Sequence, residues 1–422
     1  MNRSPLLVLL PLLLTLAGCQ KHAAPPPPAP AAIPAVSVPP PIQAPASKVV
    51  QLLALGTNTC ALEESGEVLC WGSNEAGILH QANLRTTATP TRAIAPGSGI
   101  KKIVGSFGHI CALSAVGAVG CWGSNYRQQL GLQLANQQQP HFSAESSQVP
   151  LPEAATEVAA GSAHNCVIGA TGKVYCWGYN VAGQLGDGEM PSNMGYLPTG
   201  SGNLTSRWKP ASVALPLGQE LKAREVVAGN MHTCALSGEG RVFCWGSDTQ
   251  HQLSTNQAMH SASGGGSRVP VAVENLPALP VEHLASGTNH VCALVSDGMV
   301  YCWGTIGAQM SELQMPTPQP IRGLPGSASA IAAGGGTSCA LVSGKAYCWG
   351  ASVVGGGVGL PNLTPAPVLD LPGGIQQITV SATHACALTQ SSEVYCWGSS
   401  GYGVLGPSAR RDSLQALRVP AL

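Results

Sequence analysis

Fourteen of the fifteen cysteines in this 422-residue chain fall into seven local pairs, and the second member of every pair is followed by Trp-Gly. The pairs are Cys60 with Cys70, Cys111 with Cys121, Cys166 with Cys176, Cys234 with Cys244, Cys292 with Cys302, Cys339 with Cys348, and Cys386 with Cys396. Their first members lie 51, 55, 68, 58, 47 and 47 residues apart, a period that suits propeller blades and is too long for a β-helix coil. No segment carries a long 3.6-residue apolar stripe. Each unit reads instead as short apolar runs broken by Gly, Pro, Ser and Asn, the pattern of consecutive antiparallel strands.

Within a unit the pairing follows from symmetry. Folding Cys60-Ala-Leu-Glu-Glu-Ser-Gly-Glu-Val-Leu-Cys70 back about Ser65 sets Cys60 opposite Cys70 and Leu62 opposite Val68, leaving Glu64-Ser65-Gly66 as the loop. A three-residue hairpin loop needs positive φ at its end. Gly66 supplies it, as do Gly117, Gly172, Gly240 and Gly298, while Ser392 departs from the rule. The sixth unit is one residue shorter, and a Ser343-Gly344 turn keeps Cys339 opposite Cys348. Facing cysteines in a non-hydrogen-bonded antiparallel pair stand within disulfide range. Neither zinc-knuckle nor thioredoxin-like C-x-x-C spacing occurs. Seven disulfides, one per hairpin, are the expectation, with no metal or cofactor.

The N-terminus is of another kind. Residues Met1 to Gln20 carry Arg3, a Leu-rich stretch from Leu6 to Leu14 and the exit Leu16-Ala17-Gly18-Cys19, and these last four residues resemble the lipobox of bacterial lipoproteins. The resemblance implies cleavage before Cys19, diacylation of Cys19, a membrane anchor and export to a compartment where disulfides persist. Gln20 in place of Asp implies, by the same analogy, the outer membrane, with the domain facing periplasm or exterior. Residues 20–47 hold ten prolines with Ala filling most of the rest, the composition of a polyproline II spacer of ~3.1 Å per residue. The expected organisation is a signal peptide over 1–19, this linker over 20–47 and a repeat domain over 48–422. Beyond the signal no apolar run approaches the ~18 to 20 residues of a membrane span.

Units such as Gly161-Ser-Ala-His164-Asn-Cys166, Gly172-Lys-Val-Tyr-Cys176-Trp177-Gly178-Tyr-Asn180 and Gly183-Gln184-Leu185-Gly186 resemble the regulator of chromosome condensation repeat. The last motif varies in His251-Gln-Leu-Ser254 and Gly403-Val-Leu-Gly406 and is barely kept in Gly307-Ala-Gln-Met310. The resemblance covers residues 48–422 and implies an all-β fold, a seven-bladed β-propeller of four-stranded antiparallel blades. The chain also resembles the β-lactamase inhibitor protein II propellers, secreted bacterial relatives of that family. Its end, Leu417-Arg-Val-Pro-Ala-Leu422, looks incomplete without its start, Val49-Val-Gln-Leu-Leu-Ala-Leu55, so one blade is expected to be completed by both termini.

For function, Lys plus Arg equals Asp plus Glu at 20 each, and charged residues make up only 9%. No net field is available to hold a polyanion, which excludes nucleic acid as a partner. No nucleophile elbow, phosphate loop or zinc-protease motif appears, so the protein is expected to bind and not to catalyse. His109, His164, His232, His290 and His384 stand two residues before a hairpin Cys, with Asn58 and Thr337 in the other units. One imidazole per blade, at a sheet spacing of ~10 Å, cannot share a metal ion bonded at ~2 Å. Hydrogen bonding within the repeat is their expected role, and blade-to-blade packing that of the repeated Trp.

The non-repetitive parts point to binding. The largest insertion, Asp187 to Ser212, contains Met190, Met194, Tyr196, Arg207 and Trp208, the only Trp outside the repeat. Trp, Tyr and Arg on a Gly/Ser-rich loop have the composition of a protein-binding hot spot; the alternative is that Trp208 folds back over a blade edge. Tyr126, Tyr179 and Tyr402 follow Trp-Gly at nearby offsets and are expected on the same rim. Ala135 to Gln148 and Gly264-Gly-Gly266 read as variable loops. The reading is a monomeric, lipid-anchored scaffold holding a protein partner at the cell envelope. Inhibition of an extracytoplasmic enzyme, such as a β-lactamase or penicillin-binding protein, is the alternative the second resemblance implies. Guanine-nucleotide exchange, implied by the first family's name, is opposed by export, disulfides and zero net charge.

Overall fold

The computed structural model describes residues 47–422 apart from 82, 133–141, 190–205, 216–220, 256–264, 309–310, 352–361 and 421. Cys19, Met190, Met194 and Tyr196 therefore lie outside the described residues. Seven four-stranded antiparallel sheets follow one another along the chain, over residues 49–94, 100–148, 155–212, 223–272, 281–320, 330–367 and 375–418. In each of these blades the chain starts on the strand beside the central channel and steps outward to the fourth.

The hairpin joining second and third strands has the register its sequence dictates. Cys60 faces Cys70 and Leu62 faces Val68 in blade 1, Cys234 faces Cys244 in blade 4, Cys292 faces Cys302 in blade 5, and Cys339 faces Cys348 across the shorter turn of blade 6. The five loop glycines have φ between 79° and 84°, and Ser392 adopts the same region at φ 65°. The sulfurs of all seven pairs are bonded, with Cα atoms 4.0–4.1 Å apart.

Alternation along the third strand sends the Cys and the following Trp to opposite faces, and this builds the ring. The disulfide of one blade packs in the same cluster as the Trp of the next. Cys60 and Cys70 lie with Trp122, Cys111 and Cys121 with Trp177, and Cys166 and Cys176 with Trp245. Cys234 and Cys244 lie with Trp303, Cys292 and Cys302 with Trp349, Cys339 and Cys348 with Trp397, and Cys386 and Cys396 close the circle on Trp71. Each repeat Trp is at most 1% exposed. Burying an indole of roughly 200 Å² contributes on the order of 4 kcal/mol, and sulfur against the ring adds a little more.

Ring closure differs from the expectation. Among the described residues no blade is shared between the termini: Val49–Ala54 is the innermost strand of blade 1, and Ser413–Arg418 is the outermost strand of blade 7. Each end thus carries the strand its own unit needs, and a circular repeat admits either frame. Blades 7 and 1 meet side by side, as the other neighbours do. Trp71 Nε1 donates to Val404 O at 2.7 Å, and Leu52 N donates to Gln377 Oε1 at 2.8 Å.

Blade 6 explains its own Gly334-Gly335-Gly336 run. A Cβ on Gly336 would stand 2.1 Å from Gly307 O of blade 5, and one on Gly334 would stand 2.0 Å from Val380 O of blade 7. Backbone closes on this loop from both sides, so Gly336→Ala is expected to lower the urea midpoint by an amount equivalent to about 1–3 kcal/mol. An unchanged midpoint would show that the three blades can separate at no cost.

Candidate functional site

The five repeat histidines are buried, and each bonds through Nε2 across to the next blade; His384 alone also bonds within its own repeat, its Nδ1 meeting Ser381 Oγ at 3.0 Å. His109 Nε2 meets Asn165 Oδ1 at 2.8 Å, His164 meets Thr233 Oγ1 at 2.9 Å, His232 meets Ser286 Oγ at 3.0 Å, His290 meets Ser338 Oγ at 2.7 Å, and His384 meets Thr59 Oγ1 at 2.8 Å. Thr233 Oγ1 donates its one proton to Gln184 O, which also accepts Trp245 Nε1, both at 2.9 Å. The hydroxyl must therefore accept from His164, which fixes the neutral tautomer with the proton on Nε2. Val404 O plays the part of Gln184 O between blades 7 and 1. Burial without an acceptor at Nδ1 holds the imidazoles of His109 and His290 down to about 4 and that of His164 to about 3. Burial does the same to His232 and His384, both at about 3.

The Gly-Gln-Leu-Gly motif is thus a carbonyl acceptor for the following blade. In blade 5, where Gly307-Ala-Gln-Met310 barely keeps it, the third and fourth strands pair out to Ala308 and Ser311. The indole Nε1 of Trp349 in blade 6 is buried there with no acceptor among the described residues.

The central channel holds a cavity of about 560 Å³ with a polar collar. Gln51 exchanges two hydrogen bonds with the backbone of Ile103 at 2.7 and 2.9 Å, Lys102 pairs with Glu157, and His283 Nδ1 lies 3.5 Å from Glu225 Oε2. These groups are spent on one another across blade boundaries. Among the described residues no three His, Cys, Asp or Glu come together as a metal site.

Two sets of loops, first-to-second strand and third-to-fourth strand, open on one end of the ring; the hairpin turns and blade-to-blade connections lie on the other. The chain enters at the hairpin end, where Glu64 N donates to Lys48 O at 2.8 Å and Ser65 N to Ser47 Oγ at 3.1 Å. All four exposed aromatic side chains among the described residues belong to the opposite, loop end: Phe107 at 52%, Tyr126 at 62%, Phe142 at 48% and Tyr402 at 50%. The large hydrophobics exposed at the hairpin end are aliphatic: Val116, Leu279, Met299 and Leu369.

Tyr179 ends the third strand of blade 3 at the loop face, where the Arg127 guanidinium of blade 2 lies 4.5 Å from its ring centroid. Arg207 and Trp208, expected on the insertion, stand instead on the outermost strand Ser206–Ser212, both half-buried. Arg207 reaches back to Asp187 at 3.1 Å. Tyr402 lies in blade 7 and packs toward blade 1, apart from Tyr126 and Tyr179. Of the segments expected in loops, Phe142–Gln148 is the outermost strand of blade 2 and Gly266 opens the outermost strand Gly266–Ala272 of blade 4, while 135–141 and Gly264 lie outside the described residues. The sequence reading missed Phe107, Phe142 and Arg127. Phe107 had one legible signal, since it stands between Ser106 and Gly108 at a position where the other units carry Gly56, Ser162, Asn230, Thr288, Gly335 and Ala382, all small or polar.

Fold and faces together define a closed, disulfide-stapled propeller with a one-sided aromatic rim. The RCC1-like domain model matches residues 18–311, and the regulator of chromosome condensation (RCC1) repeat model matches residues 375–404. The chain belongs to this family. Protein pim1 of Schizosaccharomyces pombe is 29% identical over 270 residues, covering 61% of this chain and 47% of that protein. The ultraviolet-B receptor UVR8 of Arabidopsis thaliana is 29% identical over 265 residues, 61% of this chain and 53% of its own. The human E3 ubiquitin-protein ligase HERC2 is 28% identical over 322 residues, 72% of this chain and 6% of its own. The chain thus spans about half the length of these relatives or far less. Among solved structures, human WBSCR16 superimposes with a TM-score of 0.69 at 20% identity, over 84% of this chain and 95% of that one. Yeast RCC1 (Prp20), crystallised bound to Kap60, gives 0.67 at 21% identity, over 89% and 85%.

Proposed function

We propose that the protein is a lipid-anchored, non-catalytic scaffold of a bacterial cell envelope that holds a protein partner on its loop face. The observation that carries this reading is the one-sided distribution of exposed aromatics, with Arg127 and Arg207 at the same end. Large, half-rigid side chains with polar handles concentrate binding energy. The lipobox at Leu16-Ala17-Gly18-Cys19 and the proline-rich linker support the anchor, and seven buried disulfides support an oxidising compartment. A propeller of this fold bound to another protein, yeast RCC1 with Kap60, supports a protein as the class of ligand.

The test captures envelope proteins on the full chain. A Tyr126→Ala/Phe142→Ala variant is expected to lose a partner that wild type and a hairpin-face control, Val116→Ser/Met299→Ser, retain, with affinity falling at least tenfold, about 1.4 kcal/mol. Equal retention by the loop-face variant would defeat the reading. Cys19→Ser is expected to move the protein from the membrane to the soluble fraction on cell fractionation; a variant that stays with the membrane would remove the anchor.

A further inference from the structure

We infer that the outer edge of blade 2 is a docking site for an extended polypeptide segment, added in parallel beside the strand Phe142–Gln148. This deepens the proposed protein-binding role and rests on it. In every blade the fourth strand skips three residues opposite the repeat Trp, and the register marks the last of the three. In five blades it is proline: Pro90, Pro210, Pro270, Pro318 and Pro365. Proline at that point removes a main-chain donor directed away from the sheet and blunts the edge against a further strand.

Two blades keep the donor. In blade 7 it belongs to Ala416, which is buried; its N–H donates to Leu369 O at 3.1 Å, and Leu369 bridges in parallel to Gln415. The chain itself shows what this donor takes when it is used, the carbonyl of a residue bridged in parallel to the strand, Leu369. In blade 2 the residue is Ser146, exposed together with Ala144, Glu145 and Gln148, and among the described residues the sheet ends at this strand. The edge runs up to Phe142, which pairs with Ser124 two residues before Tyr126, so two exposed aromatics close its loop-face end. Main-chain hydrogen bonds along an edge with side-chain anchors at one end are the chemistry of strand addition.

The discriminating variant is Ser146→Pro, which installs in blade 2 the residue five other blades already accept in the same register. Ser146→Ala keeps the donor and tests the side chain alone. Phage-displayed random dodecapeptides would be selected on the full chain with Ser146→Pro as the counter-target. Peptides enriched on wild type are expected to bind Ser146→Ala equally and Ser146→Pro ~tenfold more weakly, and to slow exchange of the Ser146 amide. No enrichment over Ser146→Pro, or peptides that leave the Ser146 amide unchanged, would overturn the inference. An envelope partner that survives Ser146→Pro yet is lost with Tyr126→Ala/Phe142→Ala would leave the scaffold reading standing and remove the edge alone.

Discussion

Acidification from pH 6.5 to 5 is expected to unfold the ring, with a steepness set by five histidines. An imidazole free in the unfolded chain titrates near 6.5, whereas His109, His164, His232, His290 and His384 are held at about 3 to 4 in the fold. The unfolded state therefore binds more protons below 6.5. Stability is whole above that value and falls as pH drops toward the folded values. Each site costs ~1.4 kcal/mol per pH unit, five cost ~7, and the sum at pH 5 is roughly 10 kcal/mol, comparable to the whole stability of a typical domain. Burial raises Glu63, Glu225 and Asp248, which take protons in the folded state and oppose the trend. Three carboxyls, each partly relieved by a basic neighbour, do not offset five fully buried imidazoles. Indole fluorescence should report the transition, because seven Trp leave dry interfaces together. His164→Gln, whose side-chain N–H can replace the Nε2 donor, should remove close to one proton from the slope. A ring that stays folded to pH 4 would mean these imidazoles accept protons in place.

How much of this was legible depends on how far apart in the chain the partners are. The Cys hairpin was readable residue by residue because its partners are ten or fewer positions apart and its turn demands a particular φ, so symmetry about Ser65 or Ser343-Gly344 leaves one register. The histidine latch was not. His164 bonds Thr233 and Trp245 bonds Gln184, 69 and 61 residues away, and only the ring brings them together. Trp208 was misplaced because the outermost strand has no cysteine to mark it and begins, after an insertion, with a bulge that breaks alternation. Closure was misjudged at Val49 and Leu417 for a related reason: a cyclic repeat gives the same pattern whichever strand is counted first. The exposed rim is the least readable part, since Phe107 and Phe142 follow no period and acquire meaning only once the strand directions assign them to one face.

Reduction of the seven disulfides is expected to abolish folding outright, and native protein should resist that reduction. A closed loop of about eleven residues is worth roughly 2–3 kcal/mol in the chain-entropy model, so seven together approach ~15–20 kcal/mol, more than the ~5–15 kcal/mol a domain retains. Residual hairpins in the unfolded chain would lower the sum without reversing the comparison. Access works in the opposite direction. All fourteen cysteines are at most 1% exposed, each pair covered by the Trp of the following blade, so a thiol reaches them only through ring opening. Dithiothreitol in native buffer should leave the free-thiol count near zero over hours, then reduce every pair once urea crosses the unfolding midpoint. The reduced chain should fail to recover its indole fluorescence after dilution. Production in a reducing cytosol should give insoluble protein, and export should give a folded one. A single Cys166→Ala/Cys176→Ala variant should lose its share of loop entropy and the packing beneath Trp245, roughly 3–5 kcal/mol together. Refolding of the fully reduced chain would show that the Trp and His interfaces alone hold the ring, and that the cysteines are present for another reason.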